Sequence, residues 1–458
     1  MSSLYIPVMS PNFRCTCQQG IGVVSDLTDS AASLIDKSYT QLLRGFMKIL
    51  DIASVQPGGR LARAIFSKEG KLLFSPGEVI TDDVLRKLKL WGVASLTVES
   101  DTPPPPLARD EAQPEDVLQV VREMVQDRFR QQDMSDPHVQ AVFELAVERH
   151  GRMMLSKGGK VPPSGHSSPA FQTQRPQQVR MKTLLDSSQR MGTLPVVFHR
   201  LVEIINDPNA SPVAISNIVS MDPALAARLL RLVNSPFYAF ASRIDSISRA
   251  VAMVGTRQLV MLAMGATLVT AFKGVPVSLV NMQSFWAHSI SCGAAARQLA
   301  LFCRAPGTEG FFVAGLLHDI SRLLIYSLLP NHTLYILTEA KRRQESVYRL
   351  EKETLGFGHD DLGAELLRLW RCPNDLVERV LAHHHTLKPS SELDDVVLPA
   401  ANTLTQALGY GSSGEIYIPP LAPLVWEKIG MSPEQLLEQC RSLDDKVREL
   451  RTLLSPVG

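Results

Sequence analysis

The feature that most constrains the fold of this chain is a helical pattern that begins at Met181 and continues to about residue 390. Apolar residues recur at helical spacing in strings such as PVVFHRLVEIIN and DPALAARLLRLVNS. Residue pairs that place a proline at the start of a helix separate these strings: Asp207-Pro208, Asp222-Pro223 and Ser235-Pro236. No strand-like alternation interrupts the pattern, so residues 181–390 are predicted to form a helical domain.

The N-terminal part of the chain has a different pattern. Residues 1–46 show no clear period and are predicted to be a poorly ordered extension; alternatively, translation starts near Met47, which the intact mass would show. In residues 47–100, two short apolar runs flank the tripeptide KEG, which predicts a tight β-hairpin. Thr81, followed by two aspartates, predicts the start of a helix. Residues 47–100 are therefore predicted to be a small α+β domain.

Two further segments connect this region to the helical domain. Residues 101–155 begin with a proline-rich break and continue into two predicted amphipathic helices, near 115–131 and 137–150. Residues 156–180 are rich in Gly, Pro, Ser and Gln and are predicted to be a flexible linker. At the other end, residues 391–458 are predicted to extend the helical domain with further helices.

Composition limits the classes of function. The 47 basic and 46 acidic residues nearly cancel, so the chain lacks the strong positive charge typical of nucleic-acid-binding proteins. The six cysteines form no CxxC pair, which indicates free thiols in a reducing compartment. No run reaches the roughly 20 uninterrupted apolar residues that span a bilayer, and no signal-peptide pattern is present, so a cytoplasmic protein is expected.

The histidines are unevenly distributed along the chain. Seven of the eleven fall within 98 residues, namely His288, His318, His332, His359, His383, His384 and His385. His318 is followed by Asp319 in the apolar string AGLLHDISRLLI. A His-Asp pair on a buried helix is costly unless the two residues bond each other, a neighbour or a metal.

Two interpretations of these histidines remain open at this point. Imidazole and carboxylate ligands suit divalent metals, and a carboxylate that bridges two metals helps to activate water against a phosphoester. The candidate cofactor is then a divalent metal such as Fe, Mn, Zn, Ni or Mg. The other interpretation is that the histidines are core residues whose polar atoms are satisfied by hydrogen bonds.

Residues 185–390 resemble the HDOD domain, a degenerate relative of the HD phosphohydrolases. The resemblance rests on strings in the family's order, among them DPALAARLLRLVNSPFYAF, SISRAVAMVGTRQLVMLA, FVAGLLHDISRLLI, LGFGHDDLGAELLRLWRCP and VERVLAHHH. It implies a mainly α chain, whose all-α, HD-like helical domain carries the HD-type helices in its second half. In the predicted α+β segment, the string VQPGGRLARAIFSKEGKLLFSPGEVIT resembles the small domain that often precedes HD-GYP domains, which hydrolyse cyclic di-GMP.

The resemblance implies a set of metal ligands. The residues that match ligands of the HD and HD-GYP patterns are His288, His318, Asp319, His359, His383 and His384.

Three departures from the family pattern count against catalysis. Asn402 stands where active relatives carry the last aspartate ligand, and Ser321 and Arg322 replace the glycine and lysine of HDIGK. The GYP motif is absent. Asp319 is then the only anionic ligand, although Asp360 or Glu365 could compensate.

The sequence therefore favours a bacterial signal-transduction output or scaffold module that is non-catalytic and keeps a vestigial HD-type metal pocket. Protein partners are expected, with a homodimer and a cyclic dinucleotide as further candidates and no membrane. The alternative is a metal-dependent phosphohydrolase that acts on a cyclic dinucleotide, with the six residues above as metal ligands. A nucleic-acid-binding regulator is the least favoured hypothesis, because no basic stripe is present.

Overall fold

The structure, a computed structural model, describes residues 46–51, 55, 57–61, 65–66, 72–75, 77–90, 95–100, 114–156, 175–191, 194–271, 275–276 and 279–454. The chain divides into two compact units, Met1–Glu111 and Ala112–Gly458. Nearly all of the predicted N-terminal extension and most of the predicted linker lie outside the described residues.

The described residues of the first unit form four short strands and one helix. In chain order these are β1 (Phe46–Asp51), β2 (Ile65–Phe66), β3 (Leu72–Phe74), α1 (Asp82–Leu90) and β4 (Ser95–Ser100). β1 pairs antiparallel with β4 and β2 pairs antiparallel with β3, so two two-stranded sheets result. Thr81 caps α1 through its Oγ1, which accepts a hydrogen bond from the backbone N–H of Val84 at 3.3 Å. That this unit is a domain of the kind that precedes HD-GYP domains stays a prediction.

The second unit is helical, which confirms the predicted fold class of the main part of the chain. Its helices are α2 (Pro114–Arg128), α3 (Pro137–Ser156), α4 (Met181–Met191), α5 (Val196–Ile205), α6 (Pro212–Ser220), α7 (Pro223–Val233), α8 (Ile247–Val254), α9 (Thr256–Ala271), α10 (Met282–Phe302), α11 (Thr308–Leu317), α12 (Ile320–Leu328), α13 (Pro330–Arg343), α14 (Val347–Leu355), α15 (His359–Leu369), α16 (Asn374–Ala382), α17 (Leu393–Ala407), α18 (Leu424–Ile429) and α19 (Pro433–Leu454).

Local sequence accounts for several of these helix boundaries. Asp222 accepts hydrogen bonds from the backbone N–H groups of Ala224 and Leu225 at the start of α7, with a proline in the first turn. Gly255 has φ 98° and separates α8 from α9. Because a side chain there would be strained, glycine fixes this turn.

A close approach between α10 and α11 positions the centre described below. A Cβ atom at Gly293 would lie 2.5 Å from the carbonyl oxygen of Phe312, and one at Gly315 would lie 2.6 Å from the Cα of Gly293. Only glycine permits this backbone contact, because any larger residue would push the helices apart. The contact holds α10 and α11 together between His288 on α10 and His318 at the end of α11.

The helices α2 and α3 belong to the second unit, although the sequence pattern set them apart from the HDOD-like region. Their buried valines, among them Val121 and Val142, lie in the same hydrophobic cluster as α10 and α17. α3 continues to Ser156, where the predicted linker begins. The end of that linker also contacts the unit, since Arg175 donates a hydrogen bond to the carbonyl oxygen of Glu353.

Among the described residues, one helical run is long and apolar enough to cross a membrane by length and composition, although charged residues interrupt it. It is Thr308–Leu328, and 89% of its most apolar window is buried inside the structure. The run is broken where α11 meets α12, and its apolar side chains pack in the core. Two bent helix pairs pass the same test only if each pair counts as one span.

Candidate metal centre

The ends of several helices bring the six predicted ligands together. His288 lies in the middle of α10, His318 and Asp319 lie between α11 and α12, and His359 is the first residue of α15. The pair His383 and His384 follows α16. All six are buried except His384, which is partly exposed. They form two groups whose ligand atoms lie within 4.8 Å of one another: His288, His318 and Asp319, and His359, His383 and His384.

In the first group the side chains meet through their distal ring nitrogens. The Nε2 atoms of His288 and His318 lie 3.3 Å apart. Oδ2 of Asp319 lies 3.1 Å from Nε2 of His318 and 3.6 Å from Nε2 of His288. One carboxylate oxygen therefore faces both imidazoles.

The second group is built around His359. Its Nε2 lies 3.1 Å from Nε2 of His383 and 3.1 Å from Nε2 of His384. The same atom lies 2.9 Å from Oδ1 of Asp319. The two carboxylate oxygens of Asp319 thus face different groups, which is the arrangement of a bridging ligand.

The proximal ring nitrogens fix the protonation of three of these histidines. Nδ1 of His318 donates to the carbonyl oxygen of Gly315 at 2.8 Å, and Nδ1 of His383 donates to that of Val380. Nδ1 of His359 faces the carboxylate of Glu351 at 2.5 Å. When such a ring is neutral, its Nε2 atom carries the lone pair, and the Nε2 atoms point at one another and at Asp319.

This arrangement fits a divalent metal. Facing lone pairs at about 3 Å repel unless a proton or a cation lies between them. Oδ1 of Asp319 is buried and accepts no hydrogen bond from any residue that the structure describes, although His359 lies beside it. Ligand histidines whose other nitrogen is held by a carboxylate or a carbonyl oxygen are typical of metal sites. Imidazole and carboxylate donors together suit Fe, Mn, Zn and Ni.

The charges around the centre also favour a bound cation. The buried guanidinium of Arg322 is shared by three carboxylates, with Nε 3.6 Å from Asp319, Nε 3.2 Å from Glu351 and an Nη 3.5 Å from Glu415. One positive charge does not balance three buried carboxylates, so the cluster favours additional positive charge.

The neighbours of Asp319 keep it ionised. Burial alone would raise the pKa of the Asp319 carboxyl, but Arg322, His318 and His359 hold it well below its usual range. Burial lowers the pKa of His383 and of His384 well below the usual range. Burial acts in the same direction on His318 and His359, but the neighbouring carboxylates outweigh it, so the pKa of His318 lies well above the usual range and that of His359 is raised. A bound metal would replace the protons that these two rings favour, since neutral imidazoles are the forms that bind metal.

Sequence reasoning missed several residues that hold the ligands. Glu351 accepts from His359, Glu415 accepts from the backbone N–H of Val347 at 2.8 Å, and the ring of Tyr348 stacks on His384 at 4.0 Å. These residues come from α14 and from the segment after α17, so only the tertiary fold brings them to the centre. A single sequence carries no signal for such contacts.

Several residues considered from sequence take no part in either group. Asn402 is buried, and its Oδ1 accepts a hydrogen bond from the side chain of Gln406 at 2.9 Å. Asp360 accepts from the hydroxyl of Tyr348, and Glu365 pairs with Arg368. The ring of His332 contacts the carbonyl oxygen of Gln177, away from the centre.

A cavity of about 930 Å³ opens beside the second group. Its lining includes His383, His384 and Asn402, together with the exposed or half-exposed cations Arg349 and Lys352. A ligand of nucleotide size fits a space of this volume.

Comparison with known proteins identifies the domain that carries this centre. The HDOD domain family matches residues 191–386. This part of the chain is an HDOD domain. The predicted resemblance is therefore confirmed.

Individual relatives are distant from this chain. An uncharacterized protein from Treponema pallidum (strain Nichols) is 26% identical over 205 residues, which cover 43% of this chain and 39% of that protein. This chain thus matches less than half of the length of that relative.

Two solved structures are similar to this chain over more than half of its length. A "Putative phosphohydrolase" from Shewanella amazonensis SB2B is 24% identical, with a TM-score of 0.48, over 59% of this chain and 97% of that chain. An HDOD domain protein with unknown function from Geobacter sulfurreducens is 21% identical, with a TM-score of 0.44, over 59% of this chain and 96% of that chain. In this HDOD domain, both histidine groups lie within the matched residues 191–386, whereas Asn402 lies beyond them.

Proposed function

We propose that the HDOD domain is a signal-transduction module organised around a divalent-metal centre, and that it acts through protein partners without turnover. The observation that carries this proposal is the convergence of five histidine Nε2 atoms on one another and on the two oxygens of Asp319. The Nδ1 hydrogen bonds of His318, His359 and His383 support it, because they orient the rings as metal ligands.

Three features speak against turnover at this centre. Asn402 supplies no negative charge, and its amide oxygen already accepts from Gln406. Asp319 is consequently the only anionic donor in the two groups. Sites that use two metals to cleave phosphoesters normally hold them with more than one carboxylate, which neutralises the cations and positions the attacking water.

Arg322 offers a route from the centre to the surface. Besides Asp319, it contacts the hydroxyl of Ser413 at 3.0 Å and the carboxylate of Glu415. Glu415 also accepts from the backbone N–H groups of Val347 and Tyr348, at the start of α14. A cation bound at Asp319 would compete with Arg322 for the carboxylate of Asp319. Arg322 would then change its contacts with Ser413 and Glu415, so metal binding would alter the position of α14 and of residues 413–415.

A metal-dependent phosphohydrolase is the second candidate, and the cavity beside the second group favours it. His383 and His384 reach the cavity from the centre, while Arg349 and Lys352 provide positive charge near its edge. A phosphodiester such as a cyclic dinucleotide would place its phosphate between these groups. The bound metal would supply Lewis-acid activation, and the cations would orient the phosphate.

Metal analysis tests the first candidate. The full chain, purified without a chelator or a histidine tag, is expected to hold one or two divalent metal ions per chain by mass spectrometry. His318→Ala should lose metal because a ligand of the first group is removed, while His332→Ala, at a partly buried histidine outside the centre, should keep it. Wild-type protein that binds no metal after reconstitution with Fe, Mn, Zn, Ni and Mg would contradict the proposal.

A turnover assay separates the two candidates. Metal-loaded wild-type protein is expected to leave cyclic di-GMP and a chromogenic phosphodiester intact. Asn402→Asp restores the missing carboxylate, so it is the variant in which hydrolysis is most readily gained. Wild-type hydrolysis that disappears in His318→Ala would establish the phosphohydrolase and overturn the non-catalytic assignment.

We further propose that the chain works in the bacterial cytoplasm with protein partners, and that a homodimer or a cyclic dinucleotide contributes to its regulation. The apolar run at Thr308–Leu328 is compatible with this location because most of it is buried within the helical unit. Affinity capture from metal-replete and metal-depleted extracts tests the partner proposal. Identical captured proteins in both extracts would show that metal does not control the output.

A further inference from the structure

A second cavity lies outside the HDOD match, between α3 and α19. Its volume is about 620 Å³. The residues that line it are Leu145, Arg149, Arg152, Met153, Ser156, Leu408, Cys440, Arg441, Asp444 and Arg448. Four arginines and one carboxylate thus line a single cleft, which we call the arginine cleft.

One arginine is fixed in the wall of the cleft. Arg149 donates through Nε to the carbonyl oxygen of Leu408 at 2.7 Å, and its guanidinium forms an ion pair with Asp444. The guanidinium also lies 4.1 Å from the ring centre of Tyr410, whose hydroxyl donates to Asp444. These contacts hold Arg149 in place and engage Asp444, the only carboxylate among the described residues that line the cleft.

The other three arginines are less engaged. Arg152 pairs with Glu148 and Arg448 pairs with Asp445, and both pairs are largely exposed to solvent. Exposed pairs of this kind are weak, so an incoming anion can compete for the guanidinium groups. Arg441 forms no ion pair with any residue in the described part of the chain.

The cleft therefore fits an anion with more than one negative charge. A phosphate monoester carries a charge of about −1.5 to −2 at neutral pH and has three acceptor oxygens. Several guanidinium groups can bind it at once, each with two parallel hydrogen bonds. A carboxylate offers one charge and two oxygens, which match a single arginine. Leu145, Leu408 and Cys440 are buried and give the cleft an apolar floor.

We propose that the arginine cleft binds the phosphate monoester of a small phosphorylated ligand, independently of the metal centre. The cleft volume lies within the range of small-molecule sites, so a mononucleotide would fit. Its two walls, α3 and α19, flank the HDOD domain in sequence. Ligand binding would therefore join the two ends of the helical unit.

Calorimetric titration of the full chain tests this proposal. The probes are inorganic phosphate, guanosine monophosphate, succinate and vesicles that contain a phosphoinositide, all at constant ionic strength. The test variant is Arg441→Gln combined with Arg448→Gln, because both side chains are exposed. Arg200→Gln is the control, at an exposed arginine on α5 that pairs with Glu203 and does not line the cleft.

We expect the double variant to bind guanosine monophosphate at least about tenfold more weakly than wild type, and Arg200→Gln to bind it normally. Replacing both arginines with lysine should cause a smaller loss, because lysine keeps the charge without the two-pronged geometry. Affinity should also fall below about pH 6, where the phosphate loses its second charge. Binding only to vesicles would support the same phosphate chemistry and assign its source to a lipid headgroup.

Two results would overturn the proposal. One is equal affinity for phosphate probes in wild type and in the double glutamine variant. The other is succinate binding as tightly as guanosine monophosphate, since two carboxylates would then satisfy the cleft. Chelation of metal should leave the titration unchanged, so failure of the metal proposal and failure of this one are distinguishable.

Discussion

The two histidine groups share one carboxylate but differ in how their ligands are held. In the second group, His359 is held by Glu351, His383 by a backbone carbonyl oxygen and His384 by stacking on Tyr348. In the first group, His318 is held by the carbonyl oxygen of Gly315. Nδ1 of His288, however, is buried without a hydrogen-bond partner among the described residues.

The groups also differ in their surroundings. The second group has three imidazoles and lies beside the large cavity. Asn402, which the family resemblance matches to the last aspartate of active relatives, lines the same cavity as a neutral side chain that accepts a hydrogen bond from Gln406. Because the side chains of the second group are the better supported, we expect this group to bind metal more tightly.

The largest effect is expected from Asp319, which faces both groups. Asp319→Asn should remove metal from both, because the bridging anion is lost and a buried amide brings no charge. Metal content by mass spectrometry measures this, with His332→Ala as the control. Retention of metal at wild-type stoichiometry in Asp319→Asn would contradict this expectation, because it would show that neither group needs the shared carboxylate to bind metal.

The next largest effect is expected when the contact that holds His359 of the second group is removed. Glu351→Gln should weaken metal binding there by about 10–100-fold, because the amide cannot polarise His359 as a carboxylate does. Competition with a fluorescent chelator measures the affinity. Glu339→Gln, which removes a surface carboxylate paired with Arg342 and Arg343, serves as the control. An unchanged metal affinity in Glu351→Gln would show that the contact between Glu351 and His359 does not contribute to metal binding by the second group.

Asn402→Asp should increase the difference between the two groups. Asn402 lines the cavity together with His383 and His384, so an added carboxylate there is expected to raise the metal affinity of the second group about tenfold, provided that Gln406 releases the side chain. The same chelator competition, resolved into two binding steps, shows which group changes. A tighter first step with an unchanged second step agrees with this expectation, since the second group is expected to bind more tightly, and the reverse would place Asn402 at the first group.

The smallest effect is expected on the pH dependence of stability. It concerns His150, a buried histidine outside both groups. Burial and the nearby Arg128 lower the pKa of His150 to about 4, against about 6.5 in the unfolded chain. Below pH 6.5 the unfolded state binds the proton more readily, so stability is lost as the pH falls toward 4. At pH 5.5 the loss amounts to about 1 kcal/mol.

His150→Gln should remove this part of the pH dependence, while a glutamine oxygen can still accept from Arg128. Urea unfolding at pH 8 and pH 5.5 measures the change, with His332→Gln as the control. An undiminished acid destabilisation in His150→Gln would contradict this expectation and show that His150 does not contribute to the pH dependence.

The helical class, which is confirmed, and the six candidate ligands, which stay a prediction, could be derived from the sequence because both depend on patterns that a linear chain displays. Apolar periodicity predicts helices, and HDISR, GHDD and HHH are local strings that match the family. Helix starts such as Asp222-Pro223 could be located in the same way, because a cap acts within its own turn.

Other features depend on long-range packing and could not be predicted. Glu351 and Glu415 act through residues brought together by α14 and the segment after α17. Arg322 was recognised only as a departure from the family, although in the fold it joins three carboxylates. The placement of α2 and α3 in the helical unit depends on packing against α17 and α19, which no local pattern reveals.

The most direct test of the central claim is anomalous X-ray diffraction from crystals of the metal-reconstituted protein, recorded at the absorption edge of the metal. If the second group binds metal as proposed, an anomalous peak is expected there, about 2.0–2.2 Å from Nε2 of His359, His383 and His384. A weaker peak is expected at the first group, between His288, His318 and Asp319. Absence of any peak at the second group, in protein that is otherwise well ordered, would contradict the proposal that these histidines bind metal. They would then be core residues whose polar atoms are satisfied by hydrogen bonds.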